Sequence, residues 1–339
     1  MSAGIRERLE YYSSLTRQVV DRHLVSGRPQ QFLYGPMRDY LDRGGKGIRP
    51  SLLLATCEAF GRPCRDALGA AACIEMLHTA FLIHDDIEDD SPIRRHRPTL
   101  HAIHGLPLAL NAGDALSLMA LRPVSGDPAL GPRIREIVIS EIVSTIQHTT
   151  EGQALELGWR RAQIGDLAPI DYIALAGKKT SWYTTVAPLR LGAIIGSFGT
   201  ASLGDISRFG FFLGLAFQAQ DDILDVTADA SGNDSIYYDI REGKHTLLLI
   251  HLLASAAPGD RCWLDEFLTR SQRDRSDADC RRVANMMFAY GSADYAASFA
   301  NEMADAARLQ FAEAFAEAPD RANLSFLHDM IEYVLARDS

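Results

Sequence analysis

Apolar residues recur at spacings of three and four along almost the whole chain, while the strict alternation of a half-buried strand is scarce. The pattern predicts helices over 5–26, 49–61, 65–84, 107–121, 130–160, 169–177, 180–197, 204–227, 244–256, 260–270, 277–290, 292–317 and 323–337. "RPSLLLATCEAFG" (49–61) has Pro50 near its start and Gly61 at its end, the asymmetry of a capped helix. Residues 65–84, "RDALGAAACIEMLHTAFLIH", are apolar on nearly every side, which predicts a central helix without a solvent stripe. The breaks, such as "SGRPQ", "RPVSGDPALGP" and "TADASGNDS", carry Gly, Pro, Ser or Asp. No repeat, low-complexity tract or dividing linker interrupts this pattern. The expectation is a single all-α domain over 1–339, built of about a dozen helices.

The chain has 339 residues, 47% of them hydrophobic, enough to bury a large core. The formal net charge of −10 argues against a nucleic-acid surface. No apolar run reaches the roughly 18 residues of a membrane span, so no span is expected. The first residues, "MSAGIRERLEYYSS", lack the apolar core of a signal peptide. Five scattered cysteines without a CxxC pair fit reduced, mostly buried thiols in a cytoplasmic protein.

Charge changes the picture in two places. In "HDDIED", Asp85 and Asp89 are i and i+4, one turn apart on one helix face. Like charges so placed cost a helix a few tenths of a kcal/mol unless something offsets them. "LAFQAQDDILDVTAD" repeats the device with Asp221 and Asp225, and Asp222 sits beside Asp221. A single such cluster is more often a solvated helix end. Two, each closing an apolar helix, favour Mg²⁺, a hard cation that takes oxygen ligands and keeps several waters. Opposed across a bundle, the clusters would hold several ions, with diphosphate oxygens completing the shells.

The basic residues point the same way. "RGGKGIRP" (43–50) sets Lys46 and Arg49 after a Gly-Gly turn at a helix start, which suits a phosphate. It does not match the nucleoside-triphosphate loop GxxxxGK[ST]. His78 lies two helical turns before Asp85; a lone histidine on an apolar helix is more often a satisfied core residue. Arg94 and Arg95 follow the first cluster closely, and Lys179, Thr180 and Lys244 are further candidates for phosphate contacts, though singly each is more often solvated.

"GGKGIRP", "LHTAFLIHDDIED", "RRHRPT", "NAGDAL", "GQALEL", "KKT", "FQAQDDILD" and "DIREGKHTLLLI" occur in the order found in trans-isoprenyl diphosphate synthases, the polyprenyl synthetase family. The resemblance covers roughly 40–255, and "KKTSWYTTVAPLRLGAIIG" looks most like bacterial geranylgeranyl diphosphate synthase-type members. It implies the isoprenoid synthase-type fold, a helical bundle around a central cavity. It also implies a Mg²⁺-dependent transferase that joins isopentenyl diphosphate head-to-tail to an allylic diphosphate. By similarity Asp85 and Asp89 bind two Mg²⁺ and Asp221 a third, with Asp86, Asp222 and Asp225 acting at one remove or through water. Arg94, Lys179 and Lys244 would assist at the allylic diphosphate. Lys46, Arg49, His78 and Arg95 would hold isopentenyl diphosphate, and Thr180 and Gln218 would stabilise the allylic cation. The departing diphosphate takes the proton that ends each cycle. Family members are usually homodimers.

In the family, bulky residues four and five positions before the first aspartate act as a floor for the growing chain. Ala80 argues here against the shortest products and Phe81 against a very long tunnel. The expected product is C20, geranylgeranyl diphosphate, with C15 and C25 as neighbours. Three departures stand out: His96 where the family usually has Gly, Glu156 where Asp is usual, and Asn233–Asp234 where a lysine is commonly expected. Two alternatives compete. A terpene cyclase on the same frame would not need Lys46, Arg49, His78 and Arg95; a silent subunit of a heteromeric synthase tends to lose one acidic cluster, and both are intact.

Overall fold

The computed structural model of the chain describes residues 3–24, 27–227, 237–320 and 323–336. Its helices are α1 (Ala3–His23), α2 (Gly35–Asp42), α3 (Ile48–Ala59), α4 (Leu68–Glu88), α5 (Leu100–His104), α6 (Leu106–Met119), α7 (Arg122–Ser125), α8 (Pro132–Ala162), α9 (Pro169–Ala176), α10 (Ala187–Gly196), α11 (Leu203–Thr227), α12 (Tyr238–Glu242), α13 (Leu247–Ser255), α14 (Pro258–Thr269), α15 (Asp277–Ala289), α16 (Ser292–Ala314) and α17 (Leu324–Ala336). Wider π turns cover Gln30–Tyr34 and Gly177–Val186. The fold is all-α, as its periodicity predicts. The single sheet among the described residues is a two-residue hairpin, β1 (Ile93–Arg94) against β2 (Arg97–Pro98).

The chain divides into two compact units, Met1–Ser144 with Ala187–Leu203 and Phe315–Leu327, and Thr145–Val186 with Gly204–Ala314 and His328–Ser339. In the first, α4 packs against α1, α3, α6 and α7. Ala70, Ala71, Ala72, Cys73, Met76 and Ala80 of α4 are fully buried, so the helix without a polar face is central. The helical stretch Cys64–Glu88 is long and apolar enough to cross a membrane by length and composition alone, but 72% of its 18-residue apolar window is buried inside the protein, which makes it a core helix, in keeping with the expectation of no span.

Helix α3 ends as Pro50 and Gly61 suggest. Gly61 takes φ +98°, its N–H donates to the Glu58 carbonyl and the Arg62 N–H reaches back to Cys57, a Schellman closure. Helix α10 lies close along α3 because a Cβ at Gly192 would stand 2.4 Å from the Leu53 carbonyl oxygen, and one at Gly196 2.6 Å from that of Cys57.

The second unit has its own core. Leu247, Leu248 and Leu252 of α13 are fully buried among Tyr172, Leu264, Phe267, Val283 and Ala296. Helix α15 opens on a capping box in which Ser276 accepts from the Asp279 N–H and Asp279 from that of Ser276. The predicted continuous helix over 180–197 is corrected: the first part winds as the π stretch, and the α-helix begins at Ala187. No Pro or Gly lies between 178 and 187 to announce the change. Four of the five cysteines are buried and none is disulfide-bonded.

Candidate active site

In the first unit, α4 continues through the aspartates and ends at Glu88, with the Asp89 N–H donating to the Asp85 carbonyl at 2.9 Å. Asp85 is half-buried, Asp86 and Asp89 are buried, and Glu88 and Asp90 are exposed. The turn between β1 and β2 consists of Arg95 and His96, both at positive φ (53° and 60°), as a tight type I′ connection requires. That turn presents Arg94 to the aspartates: Nε donates to Asp86 Oδ1 at 2.7 Å and Nη2 to Asp85 Oδ2 at 3.2 Å. The Tyr40 hydroxyl, on α2, also donates to Asp86. Arg95 turns the other way, toward the Gly-Gly turn, where a Cβ on Gly45 would lie 3.2 Å from its Nη2.

Lys46 is exposed and Arg49 half-buried at the start of α3. His78 is buried, and its pKa lies well below the usual imidazole range because burial, then the charges of Arg49, Arg95 and Arg94, disfavour the imidazolium. Glu75 stands one helical turn earlier. Burial raises its pKa while Arg49, Arg95 and Arg17 oppose the rise, so this carboxylate sits among the expected diphosphate-binding cations. Of the chain-length residues, Ala80 is fully buried and Phe81 half-buried.

In the second unit three of the predicted residues, Thr180, Gln218 and Asp222, form one connected network with Tyr172. Thr180 Oγ1 donates to Gln218 Oε1 at 2.6 Å, Gln218 Nε2 donates to Asp222 Oδ1 at 2.6 Å, and the Tyr172 hydroxyl donates to Asp222 Oδ2 at 2.9 Å. Asp225 accepts the backbone N–H groups of Tyr238 and Asp239 at 3.1 and 3.2 Å. Lys244 Nζ lies 2.6 Å from Glu242 Oε2 and 3.4 Å from Asp239 Oδ1, and Lys179 Nζ lies 2.8 Å from Glu156 Oε1. Asp221 is exposed.

The carboxylates here are crowded. Asp222 titrates well above the usual range through burial and the nearby Asp239 and Asp221; Asp225 does so through burial and Asp239. Asp239 is raised by burial, against the pull of Lys244. Such mutual repulsion is relieved by a bound cation. Among the described residues no three His, Cys, Asp or Glu side chains converge as a ready-made cage.

Residues 30–287 match the family model for polyprenyl synthetase. The chain belongs to that family. It is 33% identical over 326 residues to a short chain isoprenyl diphosphate synthase of Methanothermobacter thermautotrophicus, covering 95% of this chain and 96% of the relative. A geranylfarnesyl diphosphate synthase of Aeropyrum pernix is 31% identical, with 90% and 94% covered. The crystal structure of geranylgeranyl pyrophosphate synthetase from Pyrococcus horikoshii superposes with a TM-score of 0.86 at 28% identity, covering 98% of both chains. These relatives are archaeal, which does not bear out the expected closeness to bacterial members.

Two departures from the family pattern now have a structural setting. His96 occupies a left-handed turn position, where the glycine usual in polyprenyl synthetases costs nothing and a histidine is strained. Glu156 is buried and reaches Lys179. The third, Asn233–Asp234, lies outside the described residues. The sequence reading missed Tyr40, Tyr172, Asp239, Glu242 and Glu75. Asp239 and Glu242 stood inside the quoted "DIREGK"; the tyrosines carry no local signal.

Proposed function

We propose that the protein is a prenyltransferase that condenses isopentenyl diphosphate with an allylic diphosphate, giving a short-chain product, most simply geranylgeranyl diphosphate (C20). The observation that carries this reading is the Thr180–Gln218–Asp222–Tyr172 chain beside a crowded carboxylate group and Lys244. Asp222, fixed by Tyr172, holds the Gln218 amide so that its carbonyl oxygen faces the Thr180 hydroxyl. Two oxygen dipoles then lie together, an arrangement that would stabilise an allylic cation beside them. Arg94, Lys179 and Lys244 supply fixed positive charge for the oxygen that keeps the electron pair when the allylic C–O bond breaks. Arg95, Arg49, Lys46 and the neutral His78 hold the isopentenyl diphosphate whose double bond forms the new C–C bond. The C–H proton released next passes to the diphosphate just formed.

Asp85, Asp89 and Asp221 are the proposed Mg²⁺ ligands, for about three ions in all, while Asp86, Asp222 and Asp225 stay with protein donors or water. Mg²⁺, when bound, neutralises charge on the leaving diphosphate. The same reading takes the whole chain as one prenyl synthase domain, because the family match spans both units. It also makes the enzyme a cytoplasmic homodimer, and it keeps a bacterial-type lineage for the "KKTSWY" segment as a secondary proposal.

Incubation with dimethylallyl and isopentenyl diphosphates and Mg²⁺, with product chromatography, tests the function; chelation with EDTA is expected to abolish turnover. Hydrocarbon from geranylgeranyl diphosphate alone, with nothing from the condensation mixture, would replace this reading with a cyclase. Phe81→Ala is expected to lengthen the product by at least one five-carbon unit, and an unchanged length removes Phe81 from the floor. The geranylfarnesyl synthase among the relatives makes a longer wild-type product the outcome to watch for.

A further inference from the structure

Helix α2 braces the hairpin that carries Arg94, and both lie in the first unit. Arg43, which closes α2, donates through Nη2 to the Pro98 carbonyl of β2 at 2.7 Å and to Asp39 Oδ2 at 2.9 Å. Arg97 Nη2, also on β2, donates to Asp39 Oδ1 at 2.5 Å. The Arg43 guanidinium carbon lies over the Tyr40 ring, 4.3 Å from its centre. Those contacts tie α2 to β2. Tyr40 reaches α4 instead, where its hydroxyl donates to Asp86 Oδ2.

Tyr40 and Asp86 are 3% and 1% exposed. The two Asp86 oxygens take donors from different elements: Oδ2 from Tyr40 on α2, and Oδ1 from Arg94 Nε on β1 at 2.7 Å. A carboxylate gripped at one oxygen can still turn about its Cβ–Cγ bond, where rotation is soft. Gripped at both, it is a fixed acceptor. Arg94 therefore meets a target whose direction α2 has set, and its Nη2 falls 3.2 Å from Asp85 Oδ2. A guanidinium offers its donors in one rigid plane, so fixing Nε fixes where the rest of the fork points. Arg95 faces the Gly45 turn instead, so a change at Asp86 acts on one arginine of the hairpin and spares the other.

We propose that Tyr40 is a positioning residue for the allylic diphosphate: through Asp86 it sets the direction in which the Arg94 guanidinium is presented. The proposal rests on the role given to Arg94 above and names what holds that arginine in place. Orientation fixed before the substrate arrives is worth more than the same charge left to find its direction. Losing the Tyr40 hydroxyl takes a donor from a buried carboxylate and frees Asp86 to turn, while the Arg43 and Asp39 contacts still hold the hairpin.

The test is calorimetric titration of the full chain with two ligands: the unreactive thiolodiphosphate analogue of dimethylallyl diphosphate with Mg²⁺, and isopentenyl diphosphate in EDTA. Wild type is expected to bind both. Tyr40→Phe is expected to bind the allylic analogue about tenfold more weakly and isopentenyl diphosphate within about twofold of wild type. In an Arg94→Gln background the same substitution is expected to add less than about twofold, because its effect runs through Arg94; a merely structural tyrosine would cost the same in both backgrounds. Asp86→Asn, which leaves no unpaired buried charge, is expected to reproduce the selective loss and keeps the test open should Tyr40→Phe fail to fold. Wild-type binding of the analogue by either variant, an equal loss for both ligands, or a full further loss in the Arg94→Gln background overturns the proposal alone. Absence of analogue binding by wild type would remove the allylic site itself, and the prenyl-transfer reading together with this proposal.

Discussion

His96 shows how one side chain can be wrong for its backbone and still be kept. At φ 60° its Cβ crowds the following carbonyl, a strain of about 1 kcal/mol that glycine avoids. His96→Gly is therefore expected to raise the thermal midpoint by about 1–2 °C, and an unchanged or lower midpoint would mean the imidazole is retained for a contact. His78 gives a pH signature. Its folded pKa lies below that of the unfolded chain, so the unfolded state binds the extra proton and stability falls as pH drops through about 6.5. His78→Asn should flatten the loss between pH 7 and 5.5 by up to about 1.4 kcal/mol per pH unit, read from denaturant midpoints. At this scale the aspartates and cations were legible because charge beside an apolar run is visible in one dimension. Tyr40 and Tyr172 were not, since each bonds an aspartate 46 or 50 residues away.

Among the elements, long periodic helices were read to within a few residues, as α11 (expected 204–227, found Leu203–Thr227) and α15 (277–290, found Asp277–Ala289) illustrate. What escaped was short or irregular. Helix α2 is wedged between Gly35 and the Gly44–Gly45 turn, too brief to show a period, and the β1–β2 hairpin spans two residues a side. The π stretch depends on packing against α11, where Thr185 Oγ1 donates to the Gly210 carbonyl at 2.6 Å and a Cβ on Gly214 would strike Ser181. Two substitutions probe this scale. Gly192→Ala inserts a methyl against the α3 backbone and should cost about 1–3 kcal/mol in urea unfolding. Ser276→Ala removes the α15 cap and should cost about 1 kcal/mol, a smaller loss implying that Asp279 alone suffices.

For the whole molecule, the crowded acids make stability depend on what the protein binds. Mg²⁺ with inorganic diphosphate, at about one hundred times the dissociation constant, should stabilise the fold by about 2.7 kcal/mol by mass action, and Asp221→Asn should blunt the shift in midpoint. The family, unlike the product, was legible at this scale, because the order of eight motifs is a property of the entire chain. Product length, on the proposed reading, would turn on a few side chains around Ala80 and Phe81, whose surroundings come from elsewhere in the sequence.

Helix α4 carries a consequence for biosynthesis. Of the neighbours that bury it, α1 and α3 are translated first, while α6, α7 and α10 are translated after it. When this segment emerges from the ribosome it has the length and apolarity of a membrane anchor, and α6, α7 and α10 are still in the exit tunnel or unmade. Until α6 emerges and docks, that apolar surface is exposed and prone to aggregation. Slow translation between the emergence of α4 and that of α10 would prolong that exposure and cost yield without altering one residue of the finished enzyme.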